Sequence, residues 1–203
     1  MSMEAWKKNW LAKFKPAAEV ICAKYGVPPQ VCVAQAALES GWGSRAAGFN
    51  YFGIKGKGTA GGQEWGTKEF KDGKYVKSTQ TFAVYKSMED GVEAYCKKVT
   101  THPWFAPAAV LFAADPVRFV TWIWAMGYAT APDYAAMIVS VMNTIARATS
   151  DDAYKMAISK PVHSTLTKLK AAASGAPRRK AAARELDPKS TAQALLAQQQ
   201  PVT

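Results

Sequence analysis

Gln35 and Glu39 stand four apart in the mostly apolar stretch Val31-Cys-Val-Ala-Gln35-Ala-Ala-Leu-Glu39-Ser-Gly-Trp-Gly43. From Val31 to Leu38 only Gln35 is polar, the pattern of a helix buried on all sides. Residues four apart share a helix face, so Gln35 and Glu39 form one polar stripe on a hydrophobic rod. Gly41 is a natural C-cap and places Glu39 in the last turn. A carboxylate there meets the negative end of the helix dipole in partly apolar surroundings, and both favour the protonated form. A carboxyl kept protonated near neutral pH can act as a general acid. The same spacing fits an ordinary glutamate fraying into solvent, and spacing alone weighs the two readings equally.

The remaining elements must pack this helix and build a cleft beside Glu39. Residues 4–25 carry Trp6, Trp10, Phe14, Ala17, Ala18 and Ile21 at helical spacing. Pro16 predicts a kink or two helices there, and Gly26 an end. Pro28-Pro29 opens the Glu39 helix, because proline fits a first helical turn. Residues 40–63 hold eight of the fourteen glycines, with Asn50-Tyr-Phe-Gly-Ile-Lys55 among them. A loop of that length in a compact domain is usually functional. Asp72-Gly73, between Glu64–Lys71 and Lys74–Thr79, predicts a β-hairpin with Trp65, Thr67 and Glu69 on one face. A hairpin pendant on a helical body can reach over a cleft. Ser87 starts a helix to about Lys98, and Asp115-Pro116 another, closed by Gly127. Pro132 starts a third through Met137, Val141 and Ile145, and a short helix follows Asp151-Asp152. Trp6, Trp10, Trp122 and Trp124 read mostly as core, whereas Trp42 and Trp65 lie in loop or hairpin regions. The fold class is mainly α (α+β).

With 203 residues, 49% of them hydrophobic, the chain has room for one domain and an appendage. Residues 1–158 are expected to be the domain. Residues 159–203, basic and Ala/Gln-rich, lack the large apolar residues of a second core and read as a partly helical or flexible tail. The net charge is +11, and the last 43 residues contribute seven Lys/Arg against two Asp/Glu. Such a balance seeks polyanions, among them anionic envelope polymers, but no nucleic-acid reader motif is present. No apolar run approaches the roughly 20 residues of a membrane span. The first residues show no secretory signal, so work outside a cell implies a lysis, injection or dedicated secretion route. Cys22, Cys32 and Cys96 are odd in number and fit no metal spacing; buried free thiols are favoured over a Cys22–Cys32 bridge. With His102 and His163 as the only histidines, neither a metal nor a cofactor is expected, and the chain is expected to be a monomer.

Four motifs, in order, resemble the glucosaminidase-type peptidoglycan hydrolases of glycoside hydrolase family 73. They are Ala34-Gln-Ala-Ala-Leu-Glu39-Ser-Gly-Trp-Gly43, Asn50-Tyr-Phe-Gly-Ile-Lys55, Thr67-Lys-Glu69-Phe with Phe82-Ala-Val-Tyr85, and Gly127-Tyr128-Ala-Thr-Ala-Pro-Asp-Tyr134-Ala. The resemblance covers about residues 15–150. It implies a lysozyme-like helical core with the hairpin as a small lobe over the cleft. It further implies an endo-β-N-acetylglucosaminidase that cuts peptidoglycan glycan strands, with Glu39 as catalytic acid. Glu69 matches a second carboxylate found in many members, and Glu64 is the fallback. Tyr128 matches a tyrosine tied to catalysis and Tyr134 a neighbour in the cleft. Trp42, Asn50, Tyr51 and Phe52 match its floor and wall as substrate-binding residues. Ala131 departs from the family pattern, which usually has Asp there.

Glycosidases commonly use two carboxyls, roughly 5–5.5 Å apart for retention and roughly 6.5–9.5 Å for inversion. Inversion with Glu69 activating water is the favoured mechanism; assistance by the substrate's N-acetyl group would shift weight from Glu69 to Tyr128. A muramidase or lytic transglycosylase on the same core is the enzymatic alternative. A tail or secretion-assembly protein reusing the fold is the non-enzymatic one. A bacteriophage endolysin released through a holin, or a virion-carried lysin, is the expected biological setting.

Overall fold

In the computed structural model of the protein, residues 3–71 and 74–155 are described, apart from the side chains of 67–71 and 74–77. The expectations for the 159–203 tail, His163 and the Asp72-Gly73 pair itself lie outside these residues.

The body is helical. Helix α1 (Ala5–Tyr25) stays one helix through Pro16, against the expected kink or division. Pro16 and Ala12, whose carbonyl loses its partner, both face solvent, while Phe14 and Ala18 anchor the buried side on either flank. Gly26, at φ 64°, ends the helix in the left-handed conformation. Helix α2 (Pro29–Ser40) follows with proline in its first turn. Its residues Val31 to Ala37 are all buried, Gln35 included, as a helix apolar on all sides but one predicts. This helix is central, packing against α1, α5 (Pro116–Ala125) and α6 (Tyr134–Thr149).

A glycine-rich loop with a short 3-10 turn at Ala47–Phe49 leads to the hairpin of β1 (Gly62–Lys71) and β2 (Lys74–Ala83). The strands are antiparallel, from Gly62 opposite Ala83 to Lys71 opposite Lys74. Helix α3 (Met88–Thr101) begins where the Ser87 side chain accepts from the Asp90 amide at 3.2 Å, and runs a turn past Lys98. Helix α4 (Ala106–Leu111) was not foreseen; six residues are too few to show a helical period. The Asp115 carboxylate caps α5 by accepting from the Arg118 amide at 3.0 Å. Helix α6 starts at Tyr134, two residues beyond Pro132.

The described chain closes on itself. Tyr154 is buried in the single core, and Asp151 pairs with Lys15 of α1 at 2.7 Å. Cys22, Cys32 and Cys96 are free and buried, with 3.6 Å between the Cys22 and Cys96 sulfurs. Trp6 corrects the expectation of core: it is 47% exposed, because it lies in the first turn of α1, with the Lys7 ammonium over its ring. No described helix is long and apolar enough to cross a membrane.

Candidate active site

Glu39 leaves the core where α2 ends. Gln35, one turn earlier, is fully buried, whereas Glu39 is exposed. The expected apolar surroundings therefore apply to Gln35 and not to the carboxyl. Ser40 fixes the turn that follows: its hydroxyl donates to the Ala36 carbonyl at 2.6 Å and accepts from the Gly43 amide at 2.8 Å. Gly41, Trp42 and Gly43 all take left-handed φ values, of 58°, 59° and 81°. For a tryptophan this is a strained conformation, costing on the order of 1–3 kcal/mol. The Trp42 amide repays part of it by donating to the Ala37 carbonyl at 2.8 Å. Trp42 packs against α1, edge-on to Trp10 with ring centroids 5.9 Å apart and with the Lys7 ammonium 5.8 Å from its ring centre.

Buried Gln35 must satisfy its amide, and two phenols do so. The Tyr95 hydroxyl of α3 donates to Gln35 Oε1, and Gln35 Nε2 donates to the Tyr134 hydroxyl at 2.8 Å. Tyr134 in turn donates to Glu39 Oε1 at 2.8 Å. A continuous hydrogen-bonded chain therefore runs from α3 through α2 and α6 to the carboxyl, leaving Glu39 Oε2 without a hydrogen bond among the described residues. Burial pushes the Tyr134 phenol well above its ordinary range, with Tyr128 and Glu39 adding to the effect. It stays protonated and keeps donating.

Tyr128 arrives from α5. Gly127, at φ 97°, lets its own amide donate to Trp124 O at 2.9 Å and that of Tyr128 to Ile123 O at 3.0 Å. This left-handed cap turns Tyr128 back over the body. Its ring lies 6.0 Å from that of Tyr134, and its hydroxyl is buried with no hydrogen-bond partner among the described residues. Burial, then the nearby Glu39 charge, raises its pKa strongly. The ammonium of Lys98 stands 5.2 Å from the centre of the Tyr128 ring. Ala131, where an acidic residue is usual in the family pattern, contributes its carbonyl, which accepts from Trp124 Nε1 at 2.8 Å.

The loop residues sit deeper than a cleft wall requires. Tyr51 and Phe52 are each 5% exposed. Tyr51 packs against Phe14 at 4.9 Å, and Phe52 stacks on Tyr95 at 4.2 Å. Asn50 donates to the Ile54 and Ala83 carbonyls at 2.8 and 3.0 Å and accepts from the Ile54 amide at 2.9 Å. It ties the loop to the root of the hairpin and leaves little to offer a sugar. Glu69 stands in β1 opposite Val76, and its carboxyl lies outside the described side chains. Glu64 and Trp65 are exposed nearer the root. The structure thus brings together Glu39, Tyr134 and Tyr128, sets Trp42 against Trp10 of α1, and packs Asn50, Tyr51 and Phe52 inward as support. Tyr95, Lys98 and Ser40 were not singled out from the sequence; the demand of a buried Gln35 for partners was the one available signal for Tyr95.

The carboxyl at the end of a buried helix is thus held on one oxygen by a protonated phenol. Comparison with known proteins gives the class of protein. Residues 15–147 match the glucosaminidase family, described as mannosyl-glycoprotein endo-beta-N-acetylglucosaminidase, and the chain belongs to that family. It is 33% identical over 147 residues to the peptidoglycan hydrolase FlgJ of Salmonella typhimurium, covering 68% of this chain and 46% of that protein. It is 34% identical over 151 residues to a probable N-acetylmuramidase of Lactococcus lactis, covering 70% and 33%. The chain thus spans less than half the length of these curated relatives. Among solved structures, the catalytic domain of the Listeria monocytogenes autolysin Auto superposes with a TM-score of 0.65 at 27% identity, covering 74% of this chain and 90% of that one. A truncated glycoside hydrolase domain of Salmonella typhimurium FlgJ does so with a TM-score of 0.58 at 31% identity, covering 70% and 98%.

Proposed function

We propose that this chain hydrolyses the glycan strands of peptidoglycan as an endo-β-N-acetylglucosaminidase, with Glu39 as the general acid. The observation that carries the reading is the hydrogen-bonded chain ending on Glu39 Oε1, which orients the carboxyl and leaves Oε2 to deliver a proton to the leaving glycosidic oxygen. Tyr128, whose ring neighbours Tyr134 and whose buried hydroxyl has no partner among the described residues, stays protonated and is the candidate donor to the N-acetyl or oxyanion side of the scissile sugar. Glu69 on β1 is the candidate for activating water, and the substrate's own N-acetyl oxygen is its rival. Trp42 is the candidate for stacking on a sugar.

General acid catalysis contributes roughly 10²–10⁴-fold, so Glu39→Gln is expected to lose about that factor on purified peptidoglycan with its melting temperature kept. Unreduced turnover in that variant would remove Glu39 from the reaction. Mass spectrometry of the products reads the specificity: N-acetylglucosamine at the new reducing end supports the proposal. Reducing-end muramic acid supports a muramidase, a reading favoured by the name of the Lactococcus lactis relatives. Anhydromuramic acid would mark a lytic transglycosylase. The place of action is the bacterial cell wall. Delivery to the wall through phage lysis is part of the proposal, and a neighbouring holin gene would support it.

A further inference from the structure

Helix α3 sends two residues of one face toward the site, Tyr95 and, three positions on, Lys98. Tyr95 is used by the chain to Glu39. Lys98 has no such duty. Its neighbour Lys97 pairs with Glu93 at 3.1 Å, but among the described residues no carboxylate lies within ion-pair distance of Lys98. Its ammonium instead stands over the Tyr128 ring, which neighbours Tyr134, which holds Glu39. Although Lys98 reaches solvent, desolvation pushes its pKa down, with the Glu39 charge pulling it partly back up. An exposed ammonium seated on an aromatic ring, with no carboxylate at ion-pair distance among the described residues, suits an anion brought in from outside.

We infer that Lys98, seated on the Tyr128 ring, forms an anion subsite that takes a carboxylate of the substrate beside the bond on which Glu39 acts. The inference rests on the proposed reading of Glu39. Peptidoglycan offers two sources of that carboxylate: the lactyl group of a muramic acid from which the stem peptide has been removed, and the acidic residues of an intact stem peptide. A neutral N-acetylglucosamine oligomer has neither. Lys98 would therefore distinguish wall glycan from chitin-like glycan, a choice that Glu39 and the tyrosines, which act on features common to both, do not make.

The test is binding, in a Glu39→Gln background that prevents turnover. Calorimetry compares three tetrasaccharides: neutral N-acetylglucosamine oligomer, stem-free wall glycan with lactyl carboxylates, and wall glycan with stem peptides. Loss of one charge-assisted contact corresponds to about tenfold in affinity. Lys98→Met is expected to weaken at least one carboxylate-bearing ligand by about that factor, and the neutral oligomer less than about twofold. Lys98→Arg is expected to retain most of the preference, and added salt to shrink it. Which charged ligand suffers identifies the source. Equal loss on all three ligands would mean that Lys98 only packs on Tyr128, and overturns the inference. No loss on either charged ligand, or no binding of any ligand, overturns it too. Turnover of peptidoglycan by Glu39→Gln, measured alongside, keeps the failures apart: undiminished turnover sinks the reading of Glu39, whereas an inactive Glu39→Gln with an indifferent Lys98→Met sinks only the subsite.

Discussion

Tyr134 is the residue through which the core reaches the carboxyl of Glu39. It accepts from Gln35 and donates to Glu39, so its single proton is committed outward. Tyr134→Phe removes both bonds while keeping the ring. The loss of about 1–3 kcal/mol per charged hydrogen bond predicts a fall in kcat of roughly 10- to 100-fold, with KM little changed, measured on a soluble glycan. Gln35→Glu is a harsher change for one atom: both tyrosines would then donate inward and Tyr134 would turn from Glu39. Its kcat is expected to fall at least as far as that of Tyr134→Phe. The buried phenols also set an alkaline limit. Desolvation first, then neighbouring charges, holds Tyr95 and Tyr134 above the ordinary 10.0. A folded-state pKa above the unfolded one contributes stability below the unfolded value that is lost as pH rises past it. The melting temperature is therefore expected to hold through neutral pH and to drop above about pH 10, with buried phenolate absorbance appearing together with unfolding.

At the scale of elements, the site is made by helix ends. Helices α2 and α5 both finish in a left-handed glycine, and each such turn sets the course of the next residue, Trp42 or Tyr128. The turn after α2 is tightly built: a Cβ on Gly43 would lie 2.4 Å from Trp10 Cδ1 and Nε1, at a φ of 81°. Gly43→Ala combines overpacking with a left-handed penalty and is expected to cost about 2–4 kcal/mol, read by denaturant unfolding. Asn50→Ala, which frees the loop from the hairpin root, is expected to cost about 1–3 kcal/mol, with activity reduced along with stability. Much of this was legible in the chain. The apolar run, the helix-capping glycines, Ser87 and Asp115 and the Asp72-Gly73 signal set helices and hairpin close to where they fall, because each rests on local chemistry. Pro16 misled, since a proline facing solvent between buried anchors need not break a helix. Trp6 misled because periodicity does not reveal where a helix overhangs its body. Tyr51 and Phe52 follow a motif associated with a cleft, yet pack inward, and only the three-dimensional course of the loop decides that. Lys98 was illegible: its place over Tyr128 joins residues from two distant segments.

The whole described molecule is one core tied at both ends. The Lys15–Asp151 pair and buried Tyr154 fasten the last described turn to the first helix. We propose that residues 1–158 are the complete catalytic unit, with the basic 159–203 segment serving retention on anionic polymers. A chain ended after Ile158 is then expected to keep its melting temperature and its rate on soluble glycan, while eluting from an anionic matrix at lower salt. Ending the chain before Asp151 is expected to lower the melting temperature, measured by circular dichroism. The hydrogen-bonded path from Tyr95 to Glu39 spans three separate helices, so it registers any drift between them. Hydrogen bonds tolerate a few tenths of an ångström, whereas apolar packing yields more gradually. On heating, catalysis should therefore fade several degrees before the helices melt, and recover on cooling as long as that melting has not begun.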